Sequence, residues 1–262
     1  MNITKFLNKV YFAPRLKEIE QYTSHAGELQ QLVLQRLVRT AANTEWGKKH
    51  DYASIRTYED FKKRLPIQTY EEVKPYVTRL RAGEQNLLWP SEIRWFAKSS
   101  GTTNDKSKFL PVSRESLHDT HYKGGRDAVA IYLGQNPESR FFSGKGLILG
   151  GSHAPNLNTN HSLVGDLSAI LIENINPLVN FVRVPSKQTA LMEHFEPKME
   201  AIARETIHAN VSNLSGKDGK AEPRRDMAQP GGILPRRRCL HSLPRAIQRR
   251  DPQQQDALCR DL

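Results

Sequence analysis

The sequence predicts an α/β chain with a partly parallel sheet. Three observations carry that reading. Helical and strand patterns alternate along the chain. One continuous apolar run, KGLILGG, has the length and flanking glycines of a buried strand. The 262 residues suffice for one large domain or two small ones with a real core.

The elements follow in order. Residues 16–50 are helical in pattern, with Leu29, Leu32, Val33, Leu37 and Val38 near i, i+3, i+4 spacing and Asn43 and Gly47 punctuating the end. Thr57 with Asp60 three residues on signals a helix start, and Pro66 stops that helix after Phe61 and Leu65. Thr69 with Glu72 repeats the signal, and Gly83 follows the last turn; Tyr76, Val77 and Leu80 are its core contacts. Together these segments form a helical lead-in. EIRWFAKSS (92–100) then reads as a strand running into a loop. Residues 113–135 read as a helix opened by Ser113 and Ser116 and interrupted by Gly124-Gly125. Residues 145–153 read as a strand ending at Gly150-Gly151, and 180–186 as another. A helix over 188–208 with a kink at Pro197 and a strand and turn over 209–216 complete the pattern. No internal repeat is visible.

The start of the chain is not a signal peptide, because Lys5, Lys9, Arg15 and Lys17 break its apolar residues. No run reaches the roughly 20 apolar residues of a membrane span, so the expectation is a soluble cytoplasmic protein with no membrane partner. Net charge is +11. Residues 217–262 hold 11 Lys+Arg and 6 Asp+Glu, which leaves 28 against 22 in residues 1–216, a surplus of 6. Both cysteines, Cys239 and Cys259, also lie after residue 216, so 1–216 offers no disulfide framework and no Cys-based zinc site.

The segment FAKSSGTTNDKSKFLPVS (96–113) carries the chemistry. Small hydroxyls donate at low bulk, glycine lets backbone N–H groups approach an anion, and lysine adds a compact charge for phosphate. A strand, such a loop and then a lysine make a cradle for a polyphosphate. The pattern GxxxxGK[ST] does not fit, because Lys106 stands where the second glycine belongs. A solvated Ser/Thr turn is the alternative reading of the same residues.

SSGTTNDKSKFLP resembles the nucleotide-binding loop of the adenylate-forming superfamily, which includes luciferases and acyl-CoA synthetases. It is most similar to that of the auxin-responsive-promoter family, whose plant members are acyl acid–amino acid amido synthetases. Ser99, Ser100, Gly101, Thr102, Thr103, Lys108 and Phe109 match; Asp105 stands where plant members have glycine. Residues 43–90 resemble the family's helical lead-in, and 209–216 the segment ahead of its substrate pocket. The resemblance covers about residues 1–216. It implies the N-terminal part of the large adenylate-forming domain, with ATP and Mg²⁺ as cofactors and a small carboxylic acid and an amino acid as partners. It also implies that Ser99 to Thr103 and Lys108 hold the phosphates. The GGSH segment ending at His153 is a second candidate for the acyl or nucleotide pocket, with His153 itself read as a structural or solvated residue.

Residues 217–262 contain nine Arg and five Pro and no Phe, Trp, Tyr or Val, so they read as a disordered tail. One reading is a basic arm for nucleic acid. Against it, the tail has no aromatic for base stacking and six acids dilute its charge. The other reading is a frameshift. Shifting the frame by one base turns the ATG of Met227 into TGG, and codons for 227–245 exist that then read WPNLEVFFHGGVAFTPYR. That run is apolar and aromatic and is similar to the family's next segment. The expectation is therefore a truncated, inactive fragment whose sheet ends on an exposed strand edge.

Overall fold

A computed structural model describes residues 3–99 and 107–216. The predicted tail and most of the hydroxyl-rich loop lie outside them. The chain divides into two compact units. Residues 7–135 and 151–174 form one; 3–6, 136–150 and 175–216 of the described residues belong to the other.

The larger unit begins with helices. Short α1 (Ile3–Leu7) leads from the smaller unit into a looser, π-wound turn at Asn8–Phe12, α2 (Ala13–Ser24) and α3 (Ala26–Ala41). The apolar stripe of α3 is only partly used. Val38 and Ala41 are buried, while Leu32, Val33 and Leu37 stay exposed. Gly47 does not end this helix. It sits inside α4 (Glu45–Lys49), which Thr44 opens by accepting the Gly47 N–H at 3.0 Å. A Cβ on Gly47 would stand 2.0 Å from the Ala41 carbonyl oxygen, so glycine is needed for close approach, not for a turn.

Both predicted capping boxes form. Thr57 and Asp60 open α5 (Tyr58–Arg64), and Thr69 and Glu72 open α6 (Tyr70–Arg81). Gly83, at φ +103°, turns the chain after α6.

The sheet of this unit has the order β2-β1-β4: β1 (Trp95–Lys98) pairs antiparallel with β2 (Phe109–Val112) and parallel with β4 (Leu163–Gly165). Side chains alternate across β1. Phe96 enters one cluster with Val77 and Leu80 of α6, Leu87, Ile93 and Val164. Ala97 enters the other, with Val112, Leu117 and Ile170. Ile170 comes from α8 (Leu167–Asn174). Both faces are thus covered, as the apolar strand WFA requires.

Ser113 opens the next helix, accepting the Ser116 N–H at 3.0 Å. This helix runs through a π-wound stretch (Ser116–Tyr122) into α7 (Lys123–Gln135). Gly124 and Gly125 do not interrupt it, correcting the expectation; both face open space, and the helix passes through them. The apolar α8 (Leu167–Asn174) packs on β1. Tyr122 ties the π-wound stretch to it, donating to the Leu171 carbonyl at 2.8 Å, and burial pushes this phenol up to about 12.

The smaller unit holds a parallel sheet of order β5-β3-β6, from β3 (Lys145–Leu149), β5 (Arg183–Val184) and β6 (Val211–Gly216). Residues 180–186 supply only two strand residues; a 3-10 turn at Pro177–Val182 precedes them and a cis bond joins Val184 to Pro185. The expected long helix over 188–208 is two, α9 (Lys187–Ala190) and α10 (Phe195–Thr206). Pro197 lies in the first turn of α10, where its missing N–H has no intrahelical role, so it makes no kink. Glu205 joins α10 to the start of α9 through the Ser186 N–H at 2.5 Å and the Thr189 hydroxyl.

Candidate active site

The hydroxyl-rich loop springs from the β1/β2 hairpin. Of the six residues expected to hold phosphate, Ser99 and Lys108 are described; Ser100, Gly101, Thr102 and Thr103 lie outside the described residues. Ser99 and Lys108 stand opposite each other at the neck of the loop. The Ser99 N–H donates to the Lys108 carbonyl at 2.9 Å, and the Lys108 N–H donates to the Ser99 hydroxyl at 3.2 Å. The hairpin therefore closes the loop with a bonded pair, and both ends of SSGTTNDKSK are fixed to one sheet.

A cleft of about 1230 Å³ opens beside this neck. Helix α6 lines it with Tyr70, Lys74, Val77 and Arg81; Lys98, Ser107, Lys108 and Phe109 line it from the hairpin, and Leu157 and His161 from the segment before β4. Among the described residues, Lys74, Arg81, Lys98 and Lys108 thus meet one carboxylate, Glu71, in the same cleft. Glu71 is itself paired with Lys74 at 2.8 Å. The surplus of cations suits an anionic ligand.

Aromatic rings organise the wall. The Arg81 guanidinium lies 4.0 Å from the centroid of the Phe109 ring, and its Nη2 donates to the Leu157 carbonyl at 2.7 Å. The Lys108 ammonium lies 5.5 Å from the Tyr70 ring centroid. The Tyr70 hydroxyl accepts from the Phe109 N–H at 3.0 Å and donates to the Phe109 carbonyl at 3.4 Å. Sequence reading missed Tyr70 and Arg81. The capping box that sets Tyr70 as the first helical residue was legible, but its distance to a strand 39 residues away was not.

His153 is placed elsewhere. Its ring packs 5.2 Å from Trp95, its backbone bridges Gly165, and it does not line the cleft. Gly151 is held where a Cβ would stand 2.1 Å from the Asp166 carboxylate, which accepts the Ser152 N–H at 3.1 Å. Among the described residues no three His, Cys, Asp or Glu side chains gather as a metal site, and no helix is long and apolar enough to cross a membrane.

Residues 15–225 match the model of the GH3 family N-terminal domain. The chain belongs to the GH3 family. It is 33% identical over 104 residues to the indole-3-acetic acid-amido synthetase GH3.5 of Arabidopsis thaliana, covering 39% of this chain and 17% of that protein. It is 32% identical over 110 residues to the jasmonoyl–L-amino acid synthetase JAR4 of Nicotiana attenuata, covering 40% and 18%. Among solved structures, the GH3.15 acyl acid amido synthetase superposes with a TM-score of 0.60 at 21% identity. The likeness covers 76% of this chain and 35% of that one. The GH3 relatives named here are acid–amino acid ligases, and this chain matches less than a fifth of the length of the two curated ones. The α/β class, the partly parallel sheets and the resemblance of the N-terminal portion all hold.

Proposed function

We propose that this chain is the N-terminal part of an ATP-dependent acid–amido synthetase. A carboxylate attacks the α-phosphorus of ATP and pyrophosphate leaves; an amine, an amino acid in the family's pattern, then attacks the acyl carbon of the adenylate, forming the amide and releasing AMP and a proton. The single observation that carries this reading is the neck of the loop, where β1 and β2 bring Ser99 and Lys108 face to face beside a cationic cleft. In this reading Ser99, Ser100, Gly101, Thr102 and Thr103 supply N–H and O–H donors to the phosphates, and Lys108 supplies charge. Mg²⁺, when bound with ATP, neutralises phosphate charge as a Lewis acid. Cytoplasmic residence belongs to the same proposal; a membrane or nucleic-acid partner does not.

The family match ends at residue 225, two residues before Met227, from which the one-base shift can be read as the family's next segment. We read the sequence from about there as out of frame, so that residues 1–262 lack the groups that would hold adenosine and complete the reaction. Sequencing the locus tests this: an open family frame in the shifted phase is expected, and its absence refutes the frameshift. ATP–pyrophosphate exchange tests the activity. No exchange is expected from residues 1–262, and acid-dependent exchange is expected once the frame is restored. In that restored protein Lys108→Ala or Thr102→Ala should lower exchange about 100-fold, the scale of losing one preorganised donor. Undiminished exchange would sink the loop assignment.

A further inference from the structure

We propose that Tyr70 is a positioning residue for Lys108 at the neck of the loop. Its phenol locks the loop's exit at Phe109 and so fixes Lys108, the residue before it. This inference rests on the reading of the loop given under Proposed function.

The argument starts from strand register. Ser99 and Lys108 form a hydrogen-bonded pair at the neck. Bonded and non-bonded pairs alternate along an antiparallel ladder. Phe109, opposite Lys98, is therefore a non-bonded position whose N–H and C=O turn away from β1. They point to the open side of β2, which is the outer strand of its sheet among the described residues. Two residues on, Pro111 occupies the equivalent position and has no N–H to satisfy. Phe109 has both groups, and the Tyr70 hydroxyl meets both, at 3.0 and 3.4 Å. One phenol thus does for this residue what a neighbouring strand does in a wider sheet.

Tyr70 is in turn held by its own helix start. The Thr69–Glu72 capping box sets it as the first residue of α6, and the Thr69 N–H donates to the Glu72 carboxylate at 2.6 Å. The same ring lies 5.5 Å from the Lys108 ammonium. From the last turn of α6, Arg81 stacks on the Phe109 ring. Helix α6 therefore touches the backbone and ring of Phe109 and the ammonium of Lys108. A lysine ordered before the ligand arrives loses less freedom on binding, which appears as affinity.

The test uses the full chain, magnesium tripolyphosphate as titrant because the loop is read as holding phosphate and not adenosine, and the variants Tyr70→Phe, Lys108→Ala and the double variant. Tyr70→Phe keeps the ring and removes only the hydroxyl. Titration calorimetry should show Tyr70→Phe weakening tripolyphosphate binding about five- to tenfold, with Lys108→Ala weaker still. Adding Tyr70→Phe to Lys108→Ala should change affinity less than about twofold, because the first acts through the second. Wild-type affinity in Tyr70→Phe, with Lys108→Ala weakened, overturns the inference and leaves the loop reading standing. Losses that multiply in the double variant overturn it too, because they mark a structural effect unrelated to Lys108. No binding by the wild-type chain overturns the loop reading for this chain and the inference with it. Amide hydrogen exchange supplies a readout without ligand: the Phe109 N–H should exchange at least about tenfold faster in Tyr70→Phe. An unchanged rate overturns the lock whatever the titration shows.

Discussion

Arg15 shows how one residue can organise a helical lead-in. It is 6% exposed, and a charge buried so deeply must be paired. Its Nε and Nη2 donate to the two carboxylate oxygens of Asp127, each at 2.7 Å, tying α2 to α7 across 112 residues. Glu18 accepts from Nη1 at 2.5 Å and the Tyr22 hydroxyl from Nη2 at 2.8 Å. The bidentate guanidinium holds the Asp127 carboxyl below the usual carboxylate range. A depressed folded-state value contributes stability above the unfolded value of about 3.9, and that contribution is lost as pH falls through the folded value. Asp127→Asn should therefore cost about 2–3 kcal/mol at neutral pH, less than a fully orphaned buried charge because Glu18 remains. Its melting-temperature deficit against wild type should shrink below about pH 4. A deficit that stays constant from pH 7 to pH 3 would show that the ion pair is not its source.

Glycine sites and short strands mark what single elements can reveal. A Cβ at Gly47 would meet the Ala41 carbonyl at 2.0 Å, a backbone atom that cannot move aside cheaply. Gly47→Ala should cost at least about 2 kcal/mol, read as a fall in the midpoint of denaturant unfolding. Gly124→Ala, whose Cβ meets nothing, should be neutral or slightly stabilising, because alanine favours a helix interior by about 1 kcal/mol over glycine. A destabilising Gly124→Ala would mean that the helix does not run through this pair. The sequence signalled a break at Gly124-Gly125 because glycine weakens helices locally; the packing of α7 against α2 overrides that preference. The capping boxes at Thr57 and Thr69 were legible because they are written within four residues. Strands β2 and β4 were not. They have four and three residues, one contains Pro111, and their pairing with β1 is a tertiary event.

At the scale of the molecule, the two units each carry a three-stranded sheet, and the candidate site belongs to the larger one. In the smaller unit β6 pairs with β3 on one side and ends the sheet among the described residues, leaving Leu214 44% exposed. On the proposed frameshift, restoring the frame from Met227 should supply apolar sequence to pair beyond β6. The restored protein should melt several degrees higher and show less concentration-dependent association by light scattering. Equal melting and equal association would argue that the added sequence packs elsewhere.

The sequence by itself determined the α/β class, the helix starts, the loop motif, the family and the change of character after residue 216. These are legible because caps, periodicity, a compact motif and composition are local properties of the chain. Only the tertiary structure decided that Ser99 faces Lys108 across a hairpin neck, that Tyr70 closes that hairpin's open side, and that His153 packs on Trp95 away from the cleft. Those relations join residues 9, 39 and 58 positions apart. Strand register and helix packing set such distances, and both are settled when the apolar faces of the sheet are buried.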